Sequence, residues 1–297
     1  MLRFAIIDAP SVLGLRPTGV EGLPEAFKKA GLLKQLKAEY IGSVQSRIPY
    51  SSERDQRTML LNAKAIREYS QSLANVVSNV IAEKKFPIVL GGDCSVLIGT
   101  LLALRRKGRY GLFFIDGHSD FYQPQASHTG EVADMELAIV SGRGPDILTN
   151  FDNLRPLVRD TDVVVFGYRD SKQAAIDRSQ NVKDTEMHVF DLLTVKELNI
   201  HSAASMAIER LLSKQLDGFW MHLDVDVLED SIMPAVDYRQ SDGIGFSDLS
   251  QLLRILLASK NVVGMTITIF NPRLDYGGSI ARKLVSSIVN GLSGPSI

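Results

Sequence analysis

The sequence of 297 residues predicts an α/β fold in three layers, an α/β/α sandwich with a parallel central sheet. Two observations predict this class. Short runs rich in Val, Ile and Phe recur along the chain, and segments with helical spacing of apolar residues lie between them. Near-continuous apolar strands that alternate with crossover helices are typical of a parallel sheet covered on both faces. No linker rich in Pro or Gly interrupts the pattern, so we expect a single domain over 1–297.

Seven runs are interpreted as buried strands because each is short, apolar and rich in β-branched or aromatic residues. In chain order they are LRFAIID (2–8), PIVL (87–90), YGLFFID (110–116), DVVVFGY (162–168), MHVFD (187–191), GFWMHLD (218–224) and VVGMTITIF (262–270). Three intervening segments have apolar residues at helical spacing, which predicts helices at 63–81, 204–212 and 249–257. The apolar stretch 86–104 contains Asp93 and three glycines, so it predicts no membrane span.

Composition narrows the range of partners. Lys and Arg number 33 against 34 Asp and Glu, which leaves no basic surface for nucleic acid and no polybasic segment for a membrane. The single cysteine cannot form an internal disulfide, and the start MLRFAIIDAP lacks the basic region of a secretory signal. We therefore expect a cytoplasmic protein whose partner is a small-molecule substrate.

Three polar clusters each follow a predicted strand directly, at the end of the strand where open parallel sheets bind ligands. The clusters are GGDCS (91–95), DGHSD (116–120) and DVD (224–226). Asp116, His118 and Asp120 alternate, so an extended backbone would send all three side chains to one side. Asp224 and Asp226 repeat the same spacing after another strand.

Four carboxylates and one imidazole carry too much negative charge to gather in a partly dry cleft without a cation. We therefore predict one or two divalent metal ions. Oxygen-rich donors with one nitrogen favour Mn, and Zn, Ni, Co and Fe remain open. The alternative is that Asp116 and Asp224 cap the segments that follow, that His118 is a surface or satisfied core histidine, and that Gly91-Gly92 serves a turn. That alternative explains a single residue better than it explains two alternating clusters.

The three clusters match in order and spacing the motifs GGDHS, DAHxD and DxDxxDP, and in this the chain resembles the ureohydrolases, the superfamily of arginase, agmatinase and formimidoylglutamase. The stretch GVEGLP (19–24) and the late Asn271-Pro272 resemble two further segments of arginases. The resemblance implies an arginase-like fold, a metal-dependent hydrolase and a homo-oligomer. It also places residues of this chain on five of the six family metal ligands, namely Asp116, His118, Asp120, Asp224 and Asp226.

The sixth ligand position holds Cys94, where the family has His. By resemblance this position belongs to one metal together with Asp116, Asp120 and Asp224, whereas the ligand set of the second metal is complete. A thiolate suits Mn(II) less well than an imidazole, so the first site should be weaker, empty or biased toward a softer ion such as Zn. The alternative is that Cys94 is a small buried apolar residue that does not coordinate.

The substrate side departs further from the arginase pattern. Ala133 stands where arginases carry a proton-transferring histidine, which leaves His128 and Glu131 as candidate replacements. Ile269 occupies the position of the carboxylate that pairs the guanidinium, and a desolvated guanidinium loses much of its binding energy without that pair. Lys172 reverses the charge of a residue that contacts the amino group of arginine, although a solvated lysine at a helix start is common. L-Arginine is therefore a doubtful substrate.

Four residues are candidate substrate contacts: Tyr122, Thr129, Tyr238 and Ile269. Phe270, with the two tyrosines, is expected to make the pocket more apolar than arginine needs. The resemblance implies hydrolysis of a carbon–nitrogen bond in a guanidino, hydroxyguanidino or amidine compound, with Asp120 orienting the attacking water. One alternative is a catalytically degenerate arginase-like protein that binds metal and acts as a binding or assembly partner. Another is a metal site that acts on a non-guanidino amide.

Overall fold

The computed structural model describes residues 2–293, in which eight strands form one all-parallel sheet. The strands are β1 (Phe4–Ala9), β2 (Glu39–Ser43), β3 (Phe86–Gly91), β4 (Gly111–Ile115), β5 (Val163–Phe166), β6 (His188–Phe190), β7 (Phe219–Asp224) and β8 (Val262–Thr268). Their order across the sheet is β2-β1-β3-β8-β7-β4-β5-β6. The two ends of the predicted 1–297 domain, residue 1 and residues 294–297, lie outside the described residues.

Eleven helices within residues 2–293 connect the strands. They are α1 (Leu23–Lys29), α2 (Leu32–Leu36), α3 (Ala63–Ala82), α4 (Val96–Arg105), α5 (Glu136–Val140), α6 (Asp146–Thr149), α7 (Ser171–Ile176), α8 (Leu192–Leu198), α9 (Ile200–Leu212), α10 (Phe246–Ala258) and α11 (Ser279–Leu292). No helix in this part of the chain is both long and apolar enough to cross a bilayer.

The sheet separates two apolar cores. Alternate residues of one strand face opposite sides, so Ile88 belongs to the core that contains residues of α9, α10 and α11, whereas Val89 belongs to the core that contains residues of α3, α4 and α5. Helices thus cover both faces of a parallel sheet. The predicted three-layer α/β/α class is confirmed.

The predicted elements are all present, but the strand β2 and every helix other than α3, α9 and α10 were not predicted. All seven predicted strands form, and the three predicted helices correspond to α3, α9 and α10. The strand β2 was missed because it is an edge strand without a fully buried residue, so it lacks the apolar signal. The helix α4 was missed because nine of its ten residues are buried, and a helix that is apolar on all sides shows no periodicity.

The order of the strands places the three polar clusters side by side. The neighbours β3, β8, β7 and β4 occupy the middle of the sheet, and parallel strands end at the same edge. Ile115 pairs with Leu223, and Asp224 pairs with Thr268. The loops after these strands therefore begin at similar positions along the strand direction. The segments after β3, β4, β7 and β8 therefore converge on one region.

Candidate metal centre and active site

The structure brings five predicted metal ligands together around Asp116. One oxygen of Asp116 lies within 4.8 Å of ligand atoms of His118 and Asp120, and the same aspartate lies within 4.8 Å of ligand atoms of Asp224 and Asp226. The four aspartates are at most 6% exposed. Asp116 is common to both groups, so it lies at the centre of the cluster.

The backbone reaches this arrangement by turns, so the predicted extended alternation is wrong. β4 ends at Ile115, and Asp120 has a positive φ of 42°. Residues 225–227 form a turn of 3-10 helix directly after β7. The amides of His118 and Asp226 donate to Oδ1 of Asp116 and of Asp224, at 2.7 and 2.8 Å.

The capping alternative is therefore partly right. Asp116 and Asp224 each use one carboxylate oxygen to stabilise the turn that follows. The second oxygen of Asp116 is buried without a hydrogen-bond partner, and the second oxygen of Asp224 accepts only from Cys94. Each aspartate thus holds its own loop and still presents one oxygen to the centre.

His118 lies beside Asp226, so it is not the free surface histidine of the alternative interpretation. Its Nδ1 is 2.9 Å from Asp226 Oδ2, and the Gly117 amide donates to the other oxygen of Asp226 at 3.0 Å. Burial lowers the pKa of His118, but the Asp226 carboxylate outweighs it and raises that pKa to about 9. Burial raises the pKa of Asp226, whereas His118 and then Arg169 bring it below the ordinary value.

The remaining carboxyls of the centre are poorly stabilised as anions. Burial, followed by the neighbouring carboxylates, raises the pKa of Asp116 and of Asp224 well above the usual range. Burial and the adjacent Glu136 do the same to the pKa of Asp120. A divalent cation would remove the repulsion that causes these shifts, so the donor set fits a metal ion.

Cys94 lies against this centre. Its side chain is fully buried, and Sγ is 2.8 Å from Asp224 Oδ2 and 3.1 Å from Thr268 Oγ1. Burial raises the pKa of the Cys94 thiol, and the Asp224 carboxylate raises it further. The neighbours of the sulfur thus include a carboxylate of the candidate centre, and coordination of a metal by Cys94 stays a prediction.

Two residues near the centre were missed from the sequence. Glu136, at the start of α5, and His222, in the middle of β7, are both fully buried and belong to a group with Cys94 and Asp116 whose ligand atoms all lie within 4.8 Å. The signal was a single charged or imidazole side chain inside an otherwise apolar run. His222 also precedes Asp224 by two residues, which places both on one face of the strand.

A cavity of about 620 Å³ opens above the centre. His118, Asp120, Asp224 and Asp226 line its floor. Six predicted catalytic or substrate residues also line it: Tyr122, His128, Thr129, Glu131, Tyr238 and Ile269. The structure thus brings these six residues and Asp120 to one cavity.

Hydrogen bonds fix the positions of several of these side chains. Tyr238 donates through its hydroxyl to Glu131 Oε2 at 2.7 Å, and Glu131 is only 2% exposed. Tyr122 donates to Asp177 at 2.9 Å, and His128 lies 3.1 Å from the other oxygen of Asp177. The His128 side chain is 80% exposed, which places it at the rim.

Phe270 does not line the cavity, and its predicted pocket role is wrong. The ring is fully buried and packs on Phe27 with centroids 5.4 Å apart. Ile269 precedes it with a φ of 72°, a left-handed conformation that is unusual for a β-branched residue. The Ile269 amide donates to the Gly92 carbonyl at 2.9 Å. Ala133 and the exposed Lys172 also line the cavity, so the departures from the arginase pattern face the same space.

A parallel α/β/α sandwich with a buried carboxylate cluster and a cavity at the carboxyl edge of the sheet is typical of α/β proteins that bind small molecules. Comparison with known proteins places it within this class. The model of the Arginase family matches residues 3–293. The chain belongs to the arginase family, and so to the ureohydrolase superfamily of hydrolases that act on carbon–nitrogen bonds.

Individual relatives agree with this family. The chain is 29% identical to an arginase of Staphylococcus aureus over 95% of this chain and 94% of that one. The solved arginase of Bacillus caldovelox superposes with a TM-score of 0.89 at 25% identity, covering all of both chains. The formimidoylglutamase of Bacillus subtilis shares the fold, with a TM-score of 0.76 at 16% identity over 99% of this chain and 88% of that one. The predicted superfamily is confirmed.

Proposed function

We propose that this protein is a metal-dependent hydrolase that cleaves a carbon–nitrogen bond in a small guanidino, hydroxyguanidino or amidine compound other than L-arginine. The observation that carries the proposal is the position of the carboxylate centre at the floor of a cavity whose other charged lining is mainly acidic. A cavity of this kind attracts a cationic substrate and presents its planar carbon to the centre.

Asp116, His118, Asp224 and Asp226 would hold one divalent ion. The mixture of carboxylate oxygens with one imidazole suits Mn, and Ni, Co, Fe or Zn also fit. Such an ion supplies Lewis acidity, which lowers the pKa of a coordinated water toward neutrality. Asp120 lines the cavity beside these residues, and we assign it the role of orienting the attacking water.

The acidic wall supports a cationic substrate. Glu131, Asp170, Asp177 and Asp237 all line the cavity above the centre. Asp170 accepts from the Ser119 hydroxyl at 2.9 Å through one oxygen, and its other oxygen is buried without a partner. An amidinium or guanidinium group has the N–H donors to satisfy such carboxylates.

The same cavity argues against L-arginine. Ile269 brings an apolar side chain to the position where arginases carry the pairing carboxylate, and it is 5% exposed. Lys172 adds a positive charge to the wall, where it would repel an α-ammonium group. Arg239 lines the cavity too, but it is bound by Asp230 in two contacts of 2.6 and 2.7 Å.

Proton transfer to the leaving group is assigned to Glu131 or His128, since Ala133 has no transferable proton. Glu131 is buried and oriented by Tyr238, which favours it as the group with the better defined position. His128 lies at the rim with Asp177 and is free to turn toward solvent. The variants Glu131→Gln and His128→Ala distinguish the two assignments, because only the group that transfers the proton should lower kcat when it is replaced.

The experiment is a substrate screen with the full chain. Release of urea, ammonia or an amide is measured from arginine, agmatine, hydroxyarginine, guanidinobutyrate and simple amidines after loading with Mn, Ni, Co or Zn. We expect turnover of at least one non-arginine compound, and its loss in Asp120→Asn. Absence of turnover with every compound, in protein that binds metal, would favour the catalytically degenerate binding protein instead.

Three further expectations from the sequence stay proposals. The chain is proposed to be one domain, to be cytoplasmic and to form a homo-oligomer. Light scattering coupled to gel filtration measures the oligomeric state. A single cooperative unfolding transition would agree with one domain.

A further inference from the structure

A second group of side chains of the types that bind metals lies close to the centre but does not line the cavity. It consists of Cys94, Glu136 and His222, with Asp116 at its boundary. The four side chains come from the segments after β3 and β4, from the start of α5 and from the middle of β7. All four residues are 0% exposed, and none except Asp116 belongs to the groups formed with His118, Asp120, Asp224 and Asp226.

Five polar atoms of this group have no hydrogen-bond partner within residues 2–293, whereas Cys94 Sγ contacts Asp224 and Thr268 and Asp116 Oδ1 accepts the His118 amide. Both ring nitrogens of His222, both carboxylate oxygens of Glu136 and Oδ2 of Asp116 are buried and lack hydrogen bonds. A buried polar atom without a hydrogen bond destabilises the folded state, so five such atoms in one place indicate a missing partner. A cation is a partner that carboxylate, thiolate and imidazole share.

The His222 ring has a fixed position. It stacks on Phe114, with ring centroids 5.0 Å apart and planes inclined by 12°. Phe114 is its register partner on β4, two residues before Asp116, just as His222 is two residues before Asp224. The imidazole therefore lies on the same face of the sheet as the two aspartates and one step deeper along the strands.

The donor types differ from those of the outer centre. Asp116, His118, Asp224 and Asp226 offer oxygens with one nitrogen, whereas the inner group offers one sulfur, one nitrogen and two carboxylates. Thiolate and imidazole donors select zinc and similar borderline ions over manganese. Ligand atoms around a tetrahedral zinc lie about 3.3–3.8 Å apart. The ligand atoms of this group all lie within 4.8 Å of one another, so shifts of about 1 Å or less bring them to that spacing.

We propose that Cys94, Glu136, His222 and Asp116 form an inner site for a Zn(II)-like divalent ion, separate from the outer site at His118 and Asp226. Cys94 is then a ligand of this deeper position, with Glu136 and His222 as its partners. The proposal rests on the proposed function only in that Asp116 belongs to both sites. Inner binding does not require turnover of any substrate.

The experiment reads the metal–sulfur bond directly. Cys94 is the only cysteine of the chain, so any sulfur bound to the metal at a thiolate distance identifies it. X-ray absorption of the full chain loaded with zinc should show one sulfur at about 2.3 Å beside nitrogen and oxygen at about 2.0–2.2 Å. Cobalt-loaded protein should show a thiolate-to-cobalt charge-transfer band in the near ultraviolet.

The variants assign the other ligands. His222→Ala and Glu136→Gln should each weaken binding of the sulfur-coordinated ion at least tenfold, whereas His201→Ala and Glu209→Gln, at exposed positions of α9, should leave it unchanged. Asp226→Asn should keep the sulfur signal and lose the outer ion. A zinc-loaded parent without a sulfur neighbour would overturn the proposal, and this measurement needs no variant to fold.

The same data separate this proposal from the proposed function. Retention of the sulfur signal at parental affinity in both His222→Ala and Glu136→Gln would also overturn the inner site. A sulfur signal in protein without hydrolytic activity would support the inner site and count against the hydrolase. Hydrolysis by protein whose metal does not contact sulfur would support the hydrolase and overturn the inner site.

Discussion

Replacement of Asp224 by Asn is expected to change thermal stability differently with and without metal. Asp224 is 2% exposed and contributes one oxygen to the group with Asp116 and Asp226. Its other oxygen accepts the Asp226 amide, and asparagine keeps an oxygen for that bond. The substitution therefore removes one charge from the centre with little change of shape.

The magnitude follows from metal linkage. An ion at 1,000 times its dissociation constant stabilises the protein by about 4.1 kcal/mol for one site. An unfolding entropy of about 2.1 cal/mol/K per residue amounts to about 0.62 kcal/mol/K for this chain of 297 residues, so one site should raise the Tm of the parent by roughly 6–7 °C. Without metal, burial already disfavours the charged form of Asp224, as its raised pKa shows. Asp224→Asn should therefore melt at or slightly above the parent in chelator, and well below it in Mn.

The assay is thermal unfolding followed by circular dichroism, first in chelator and then with Mn, Zn, Ni or Co. Asp184→Asn is the matched control, because Asp184 is exposed in a surface turn and should respond to metal like the parent. An equal metal-dependent rise in parent and Asp224→Asn would show that Asp224 binds no ion. A parent whose Tm is unaffected by all four metals would refute the metal centre itself.

Three other predictions concern affinity and turnover. Cys94→His should raise the affinity for Mn relative to Zn, since an imidazole replaces the soft donor; unchanged affinities in calorimetric titrations would count against Cys94 as a ligand. The parent should hydrolyse arginine far more slowly than its preferred substrate. Ile269→Glu should reduce the ratio of kcat/KM for the preferred substrate to kcat/KM for arginine by about tenfold or more, because it restores an ion pair with the guanidinium. Fast arginine turnover by the parent would contradict the substrate assignment. If Glu131 transfers the proton, Glu131→Gln should lower kcat by about 10²–10⁴-fold, and His128→Ala should leave kcat nearly unchanged. The reverse pattern would assign the proton transfer to His128.

The sequence was sufficient for the fold because the central strands are buried on both faces. Their apolar runs carry the signal, and each polar cluster follows such a run at the functional edge. The strand β2 and the helix α4 were not predicted, for opposite reasons. β2 is too exposed to show an apolar run, and α4 is too buried to show helical periodicity.

The site was predicted less completely than the fold. Asp116, His118 and Asp224 stand in motifs of adjacent polar residues, so their pattern can be read along the chain. Glu136 and His222 are single polar residues in apolar segments, and only the tertiary fold brings them to Cys94. The turns that aim the aspartates were also inaccessible, because alternation along the sequence does not distinguish an extended strand from a loop.

The left-handed backbone at Ile269 has a consequence for how the substrate range of this protein can change. A β-branched residue there is held in a sparsely populated conformation at a cost of about 1–3 kcal/mol. A hydrogen bond from the Ile269 amide to the Gly92 carbonyl helps to hold that conformation, and this bond uses no atom of the side chain. Exchanges at this position should therefore alter the chemistry of the cavity wall without moving the loop. A library of all residues at 269 would sample substrate preferences on a constant framework, with glycine and asparagine relieving strain and charged residues adding new contacts.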